Sequence, residues 1–328
     1  MATDPITFPG CDTPTAPLGV GCWAWGDAST WGMGSYDSTL TEASIAEAFE
    51  ASLDAGVTLF DTAEVYGSGE SERILGRLLA ADPSRRDRVV VATKFMPAPW
   101  KLNVRSALRD ALLASLERLG IDQVDLYQLH GPVSLRGHAA LAEALAAVHA
   151  EGLVKAVGVS NYSVEEMGAV HAQLASRGLA LASNQIEMSL LRRRPETTGL
   201  LRACATLGVV PLAYSPIGQG RLTGKYTVEH PPPGKRSFSD HPMELVGSVV
   251  GALRRIGDAK GGATPAQVAL RWLIQKGTVP IPGAKNADQA GQNAGALGFE
   301  LTDVEMAALD GVALEGTRTI AQRFWQHG

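Results

Sequence analysis

The chain has 328 residues, 45% of them hydrophobic, enough for one large barrel or two smaller domains with a sizeable core. A formal net charge of −5 argues against the basic stripe that binds phosphate backbones, so nucleic acid is not an expected partner. Cys11, Cys22 and Cys204 are odd in number, widely separated and without a C-x-x-C pair, which argues for a reduced compartment and against a structural disulfide or thiolate metal site.

Residues 1–5 carry neither the basic segment nor the apolar run of a signal peptide. No apolar run approaches the roughly 18 residues of a membrane span. A cytoplasmic protein with no membrane partner is expected; nothing in the sequence sets its oligomeric state.

In chain order, β-rich runs occur at 18–21, 58–60, 89–93, 124–129, 154–159, 181–185, 209–214 and 279–281. The segments between them have helical periodicity. Ile45, Ala48, Phe49 and Leu53 share one face, as do Leu108, Leu112, Leu116 and Leu119. Capping boxes start helices at Ser163/Glu166, Thr264/Gln267 and Thr302/Glu305. Glycines at 56, 120, 152, 178, 208 and 277 close a helix just before the next strand. From Gly120 to Gly208 these junctions recur about every thirty residues, the length of one strand-plus-helix unit. Eight such units without a break predict a single (β/α)8 TIM barrel over 1–328, with tails at about 1–15 and 314–328 and long loops at the C-terminal face. The proline-rich, polar segment 229–240 reads as a long loop after the seventh strand, either a linker or a cover over a bound ligand.

A doubly wound dinucleotide fold is the competitor. Gly19-Val20-Gly21-Cys22-Trp23-Ala24 matches G-x-G-x-x-A after a strand, but a loop rich in tryptophan and glycine follows where the fingerprint requires a helix. The match is set aside as chance.

The carboxyl ends of barrel strands face one mouth. Asp61, Lys94 and His130 end the second, third and fourth strands, and Tyr66 lies on the loop leaving the second. A phenol is a poor acid near neutrality, with an unperturbed pKa of about 10. A neighbouring lysine cation favours the phenolate, and a carboxylate orients that lysine. With an imidazole beside the phenol, the set can polarise a carbonyl and hand it a proton.

The run from Gly56 through Asp61-Thr62-Ala63-Glu64-Val65-Tyr66-Gly67, followed by Ser71-Glu72-Arg73-Ile74-Leu75-Gly76, resembles the signature of the aldo-keto reductases. Ala92-Thr93-Lys94, Leu126-Tyr127-Gln128-Leu129-His130, Gly158-Val159-Ser160-Asn161-Tyr162, Ala213-Tyr214-Ser215-Pro216-Ile217 and Ile281-Pro282-Gly283-Ala284-Lys285 match further motifs in family order from about residue 18 to 313. The resemblance implies a catalytic tetrad of Asp61, Tyr66, Lys94 and His130, with Tyr66 as proton donor. It implies NADPH as cofactor and a small-molecule carbonyl as substrate.

Ser160, Asn161 and Gln185 end the fifth and sixth strands, where hydroxyl and amide groups suit a carboxamide such as that of nicotinamide. The resemblance places Tyr214 against the nicotinamide ring and implies that Ser215, Pro216, Ile217, Gly218, Gly220, Leu222 and Lys225 wrap the pyrophosphate. It adds Gly21, Trp23, Ile281 and Gly283 as cofactor neighbours. After the eighth strand, Lys285 precedes a helix opening near Asn286, and a helix N-terminus beside a lysine suits an anion. The resemblance puts the adenosine and its 2′-phosphate there, with Gln289, Gln292 and Asn293. Many relatives carry arginine where Gln289 stands, so the phosphate preference rests on Lys285.

Four of the six tryptophans lie before residue 101. Trp23, Trp25, Trp31, Phe95 and Trp100 are expected to wall an apolar pocket for a flat or aromatic aldehyde. The tail ending in Phe324-Trp325 resembles that of the plant pyridoxal reductases, whose first-strand loop also contains Trp-Ala-Trp-Gly, so pyridoxal is a candidate substrate. An alternative resemblance is to redox-sensing potassium-channel β subunits, which keep the barrel and cofactor; these typically lack the tetrad histidine that this chain has as His130. A metal-dependent barrel hydrolase is disfavoured because none of the seven histidines forms a His-x-His pair.

Overall fold

In the computed structural model, residues 4–26, 40–233 and 238–328 are described. Two short antiparallel strands come first, β1 (Ile6–Phe8) and β2 (Cys11–Thr15), turning through Pro9 and Gly10. This hairpin replaces the tail expected over 1–15. The local pattern hides it, because Asp12, Thr13, Pro14 and Thr15 lack strand-like alternation. What stabilises it is tertiary. Phe8 and Cys11 are buried against the interior side chains of the barrel and plug its N-terminal end.

Among the described residues eight parallel strands follow: β3 (Gly19–Gly21), β4 (Leu59–Asp61), β5 (Val90–Phe95), β6 (Val124–Leu129), β7 (Val154–Ser160), β8 (Leu181–Glu187), β9 (Val210–Tyr214) and β10 (Val279–Pro280). They lie in chain order across one sheet. The seam between first and last is tied by the Gly21 amide, which donates to Pro282 O at 2.9 Å. A Cβ on Gly21 would stand 2.7 Å from Ile281 O, so the close approach there needs glycine.

Between the strands run the helices α1 (Glu42–Asp54), α2 (Glu70–Ala80), α3 (Val104–Leu119), α4 (His138–Ala150), α5 (Val164–Ala175), α6 (Arg194–Thr197), α7 (Leu200–Leu207), α8 (Met243–Ala259) and α9 (Pro265–Gln275), with α10 (Ala287–Ala294) and α11 (Asp303–Val312) after β10. The (β/α)8 barrel expected from the sequence is present. The predicted faces of α1 and α3 are the buried ones, and the three capping boxes form at α5, α9 and α11. Each glycine expected to close a helix has positive φ.

Strand alternation sorts the core into two parts. Leu59, Val90, Ala92, Leu126, Ala156, Leu212 and Val279 point inward and fill the barrel floor. Phe60, Val91, Phe95, Tyr127, Leu129, Val159 and Ala213 point outward and pack under the helices. Above the apolar floor the inward positions turn polar. Asp61, Lys94, Gln128, Ser160 and Gln185 are all buried there, just below the mouth. No helix among the described residues is long and apolar enough to cross a membrane.

Candidate active site

Asp61 ends β4 with its carboxylate buried. Its Oδ2 accepts from Lys94 Nζ at 2.5 Å, and its Oδ1 accepts from Gln185 Nε2 at 2.8 Å and Gln128 Nε2 at 3.1 Å. Lys94 Nζ also donates to Thr62 O at 2.8 Å and to the Tyr66 hydroxyl at 3.3 Å. All three ammonium protons therefore have an acceptor, and the third is aimed at the phenol. His130 follows β6, its ring edge-on to Tyr66 with centroids 5.6 Å apart. The structure thus brings Asp61, Tyr66, Lys94 and His130 to one place.

A strained turn delivers Tyr66. Residues Tyr66–Gly69 form a tight helical turn in which Gly67, Ser68 and Gly69 all have positive φ. At Gly67 a side chain is excluded twice over, by φ +55 and by Gly26 O, which would lie 2.4 Å from its Cβ. Ser71 ties the turn down, donating to Cys22 O at 2.8 Å and sharing a bond with the Thr62 hydroxyl. Glu64 then fixes the loop after β5 by accepting from the Met96 amide at 2.7 Å.

Burial decides the proton affinities. It pushes the Tyr66 phenol above its ordinary value, and the Lys94 cation opposes this without reversing it. The lysine expected to favour the phenolate therefore moderates a phenol that stays protonated. Burial alone would lower Lys94, but Asp61 and Tyr66 outweigh it and hold the ammonium charged. His130 is pulled well below its usual range, first by burial and then by Lys94, so it is neutral. Its Nδ1 is buried and has no hydrogen-bond partner among the described residues.

Around the mouth, Asn161 and Ser215 follow β7 and β9 directly, and both non-glycine residues adopt left-handed backbone with φ 65 and 50. Strain of this kind persists only where surrounding bonds over-determine it. Here the Asn161 amide donates to Gln185 O at 2.8 Å, and its Oδ1 accepts from the Tyr214 hydroxyl at 2.9 Å. Ser160 Oγ donates to Gln185 O at 2.9 Å. Ser160, Asn161, Gln185 and Tyr214 form one connected cluster beside the acid–lysine pair. The segment from Gly218 to Thr223 turns tightly, with Gln219 and Gly220 also at positive φ. Leu222 of this segment is directed elsewhere: its side chain is in the core and its amide donates to Ile217 O. Asn286 caps α10 through the Gln289 amide, Gln289 Oε1 accepts from the Lys285 amide, and Asn293 Nδ2 donates to Gly283 O. Lys285 sits one residue before that cap.

The expected substrate wall needs correction. Trp25 is fully buried, donates Nε1–H to Ala284 O at 2.9 Å and packs on Phe60, so it belongs to the outer core. Phe95 is also fully buried, because strand alternation turns it outward while Lys94 turns in. Trp100 is 79% exposed on the loop after β5. Trp23 is half-buried at the end of the first barrel strand, and Trp31 lies outside the described residues. A separate aromatic cluster forms from distant segments. Phe238 packs edge-on to Tyr214 at 5.6 Å, and Trp325 packs edge-on to Phe238 at 6.0 Å. Gln326 holds this tail down, donating to Glu187 and, at 2.9 Å, to the Tyr214 hydroxyl. The signal for Trp325 is the aromatic pair at 324–325, and Phe238 lies within the 229–240 segment read as a linker or a cover; nothing local marks Gln326.

Residues 17–314 match the model of the aldo/keto reductase family. The chain is 39% identical over 325 residues to a chloroplastic pyridoxal reductase of Arabidopsis thaliana, covering 95% of this chain and 87% of that protein. Its structure resembles that of a glycerol dehydrogenase from Gluconobacter oxydans, with TM-score 0.80 and 29% identity, covering 98% of this chain and 99% of that one. It also resembles an aldo-keto reductase from Klebsiella pneumoniae solved in complex with NADPH, with TM-score 0.74 and 27% identity, covering 97% and 98% of the two chains.

Proposed function

The chain belongs to the aldo/keto reductase family and is an NADP-dependent oxidoreductase acting on carbonyl compounds, and from that premise we propose that Tyr66 protonates the carbonyl oxygen of an aromatic aldehyde, pyridoxal among them. The observation that carries this reading is the Lys94 ammonium, divided between Asp61, Thr62 O and the Tyr66 hydroxyl.

Bound NADPH supplies the hydride. The protein supplies the proton and the electrostatics. Tyr66 gives its hydroxyl proton to the carbonyl oxygen, and Lys94 stabilises the phenolate left behind. Asp61 keeps Lys94 charged and oriented. Neutral His130 presents Nε2–H to the same carbonyl oxygen, an orienting hydrogen bond that adds no second charge. Ser160, Asn161 and Gln185 hold the nicotinamide carboxamide, and Tyr214 offers a ring face to it. The left-handed Asn161 and Ser215 support this fit, since their strain clusters where a ligand would be gripped. Ser215, Pro216, Ile217, Gly218, Gly220 and Lys225 line the pyrophosphate path, with Gly21, Trp23, Ile281 and Gly283 along the seam. Lys285, Gln289, Gln292 and Asn293 at α10 take the adenosine end.

Pyridoxal is supported by the plant relative and by the aromatic pair of Phe238 and Trp325 next to Tyr214, against which a flat ring can pack. An NADPH-oxidation screen over aliphatic, aromatic and pyridoxal aldehydes tests it. The expected result is the highest kcat/KM among the flat aldehydes. Turnover of short aliphatic aldehydes alone would sink the substrate assignment and leave the reaction class standing.

Lys285→Ala is expected to weaken NADPH about tenfold and NADH less than twofold, the loss of one charge-assisted contact to a 2′-phosphate. Titration of both cofactors by protein fluorescence checks this. Equal losses for the two would remove the phosphate contact from Lys285.

A further inference from the structure

Asp61 Oδ1, the oxygen not used by Lys94, accepts two side-chain amides, and only Gln185 belongs to the cofactor cluster. The other, Gln128, lies on β6 two residues before His130 and is fully buried. A carboxylate can only accept, so Gln128 must face it with Nε2. That orientation turns Gln128 Oε1 to Ser183 Oγ, which donates to it at 3.1 Å. Room for the pair comes from the neighbouring strand. A Cβ on Gly158 would stand 2.1 Å from Ser183 Oγ and 3.0 Å from Gln128 Cγ.

We infer that Gln128 is a positioning residue for carbonyl reduction: its amide, held by Ser183, tempers the basicity of Asp61 so that Lys94 keeps its proton and directs it at Tyr66. The inference rests on the roles proposed above for Asp61, Lys94 and Tyr66. In a buried pair, each donor to the carboxylate stabilises its charged form and weakens its pull on the lysine proton. With Gln128 removed, Asp61 becomes the stronger base and a neutral lysine cannot stabilise a phenolate. Gln128 sits below the mouth, sealed by the residues above it, so its effect falls on the chemical step and leaves cofactor binding alone.

The test compares native protein, Gln128→Leu, Gln128→Glu and Tyr66→Phe by kcat against pH and by NADPH affinity. Gln128→Leu is expected to lower kcat about tenfold at every pH with NADPH affinity within about twofold, the loss of one hydrogen bond to a charged group. Gln128→Glu is the decisive variant, close in shape to the native side chain. At low pH its acid form donates to Asp61 and kcat approaches the native value. Because two adjacent buried carboxylates resist joint ionisation, the shared proton is held well above the usual carboxylate range; as pH rises far enough to remove it, kcat falls along a limb below that of Tyr66, which native protein and Gln128→Leu lack. A pH-independent loss in Gln128→Glu, or a profile that follows the native one, overturns the inference. If Gln128→Leu does not fold, the Gln128→Glu profile alone decides. Activity in Tyr66→Phe would overturn the underlying site reading instead, so the two failures are told apart.

Discussion

Tyr66→Phe is expected to lower kcat for aldehyde reduction by roughly 10²- to 10⁴-fold, the range of a single general acid, while NADPH binds within about twofold of native. The substitution removes one oxygen and keeps the ring that packs against His130 and under the Lys94 cation, whose Nζ is 4.9 Å from its centroid. The loss should therefore lie in kcat, with KM and cofactor affinity little changed. Stopped-flow single turnover with preformed NADPH complex separates the chemical step from binding. Retained single-turnover reduction would show that another group, or water, delivers the proton. The pH dependence has a definite sign. Burial raises the Tyr66 phenol above its ordinary value, so the donor stays protonated through neutrality and kcat falls only above about pH 10.

Lys94→Met should cost as much activity and more stability. The lysine is wholly buried, and its loss leaves Asp61 Oδ2 charged, buried and without its 2.5 Å partner. Breaking a buried ion pair from one side costs about 3–5 kcal/mol. Because the folded lysine has a raised pKa, the pair contributes fully below the unfolded lysine value of about 10.4 and is lost as pH rises through the folded one. Urea unfolding should then show a constant gap between native and variant from pH 6 to 9, narrowing above about pH 10.4. A gap absent at neutral pH would mean that Asp61 finds another partner or takes up a proton. Adding Asp61→Asn to Lys94→Met should recover part of the lost stability, since the stranded charge goes with it.

Legibility in the sequence followed the range of each interaction. The barrel strands were placed to within a residue or two because a buried parallel strand is a short apolar run between a glycine-closed helix and the next helix. β8 ran on to Glu187 and β5 to Phe95, since the mouth residues continue the ladder after the apolar run ends. The positions of Asp61, Lys94 and His130 at one rim followed from counting strand ends in a parallel barrel. Phe95 is legible by the same reasoning, since alternation from an inward Lys94 turns it outward, away from the mouth. Trp25 could not be read locally, because its indole partner is Ala284 O on the far side of the seam.

What the sequence by itself determined is what short-range physics encodes: the period of the helices, the glycines that end them, the capping boxes, and the order of an acid, a phenol, an amine and an imidazole along successive strand ends. Tertiary structure alone decided the rest. It used a proline-bearing N-terminal segment as a plug because the barrel floor needed Phe8 and Cys11. It also decided that Phe238 packs on Tyr214 and Trp325 on Phe238. A side chain's partner across a hundred residues of chain is set by which surfaces the closed barrel leaves facing each other, and no local pattern carries that information. The same closure placed Gln128 under Asp61, where it meets the carboxylate on which the proposed proton transfer depends.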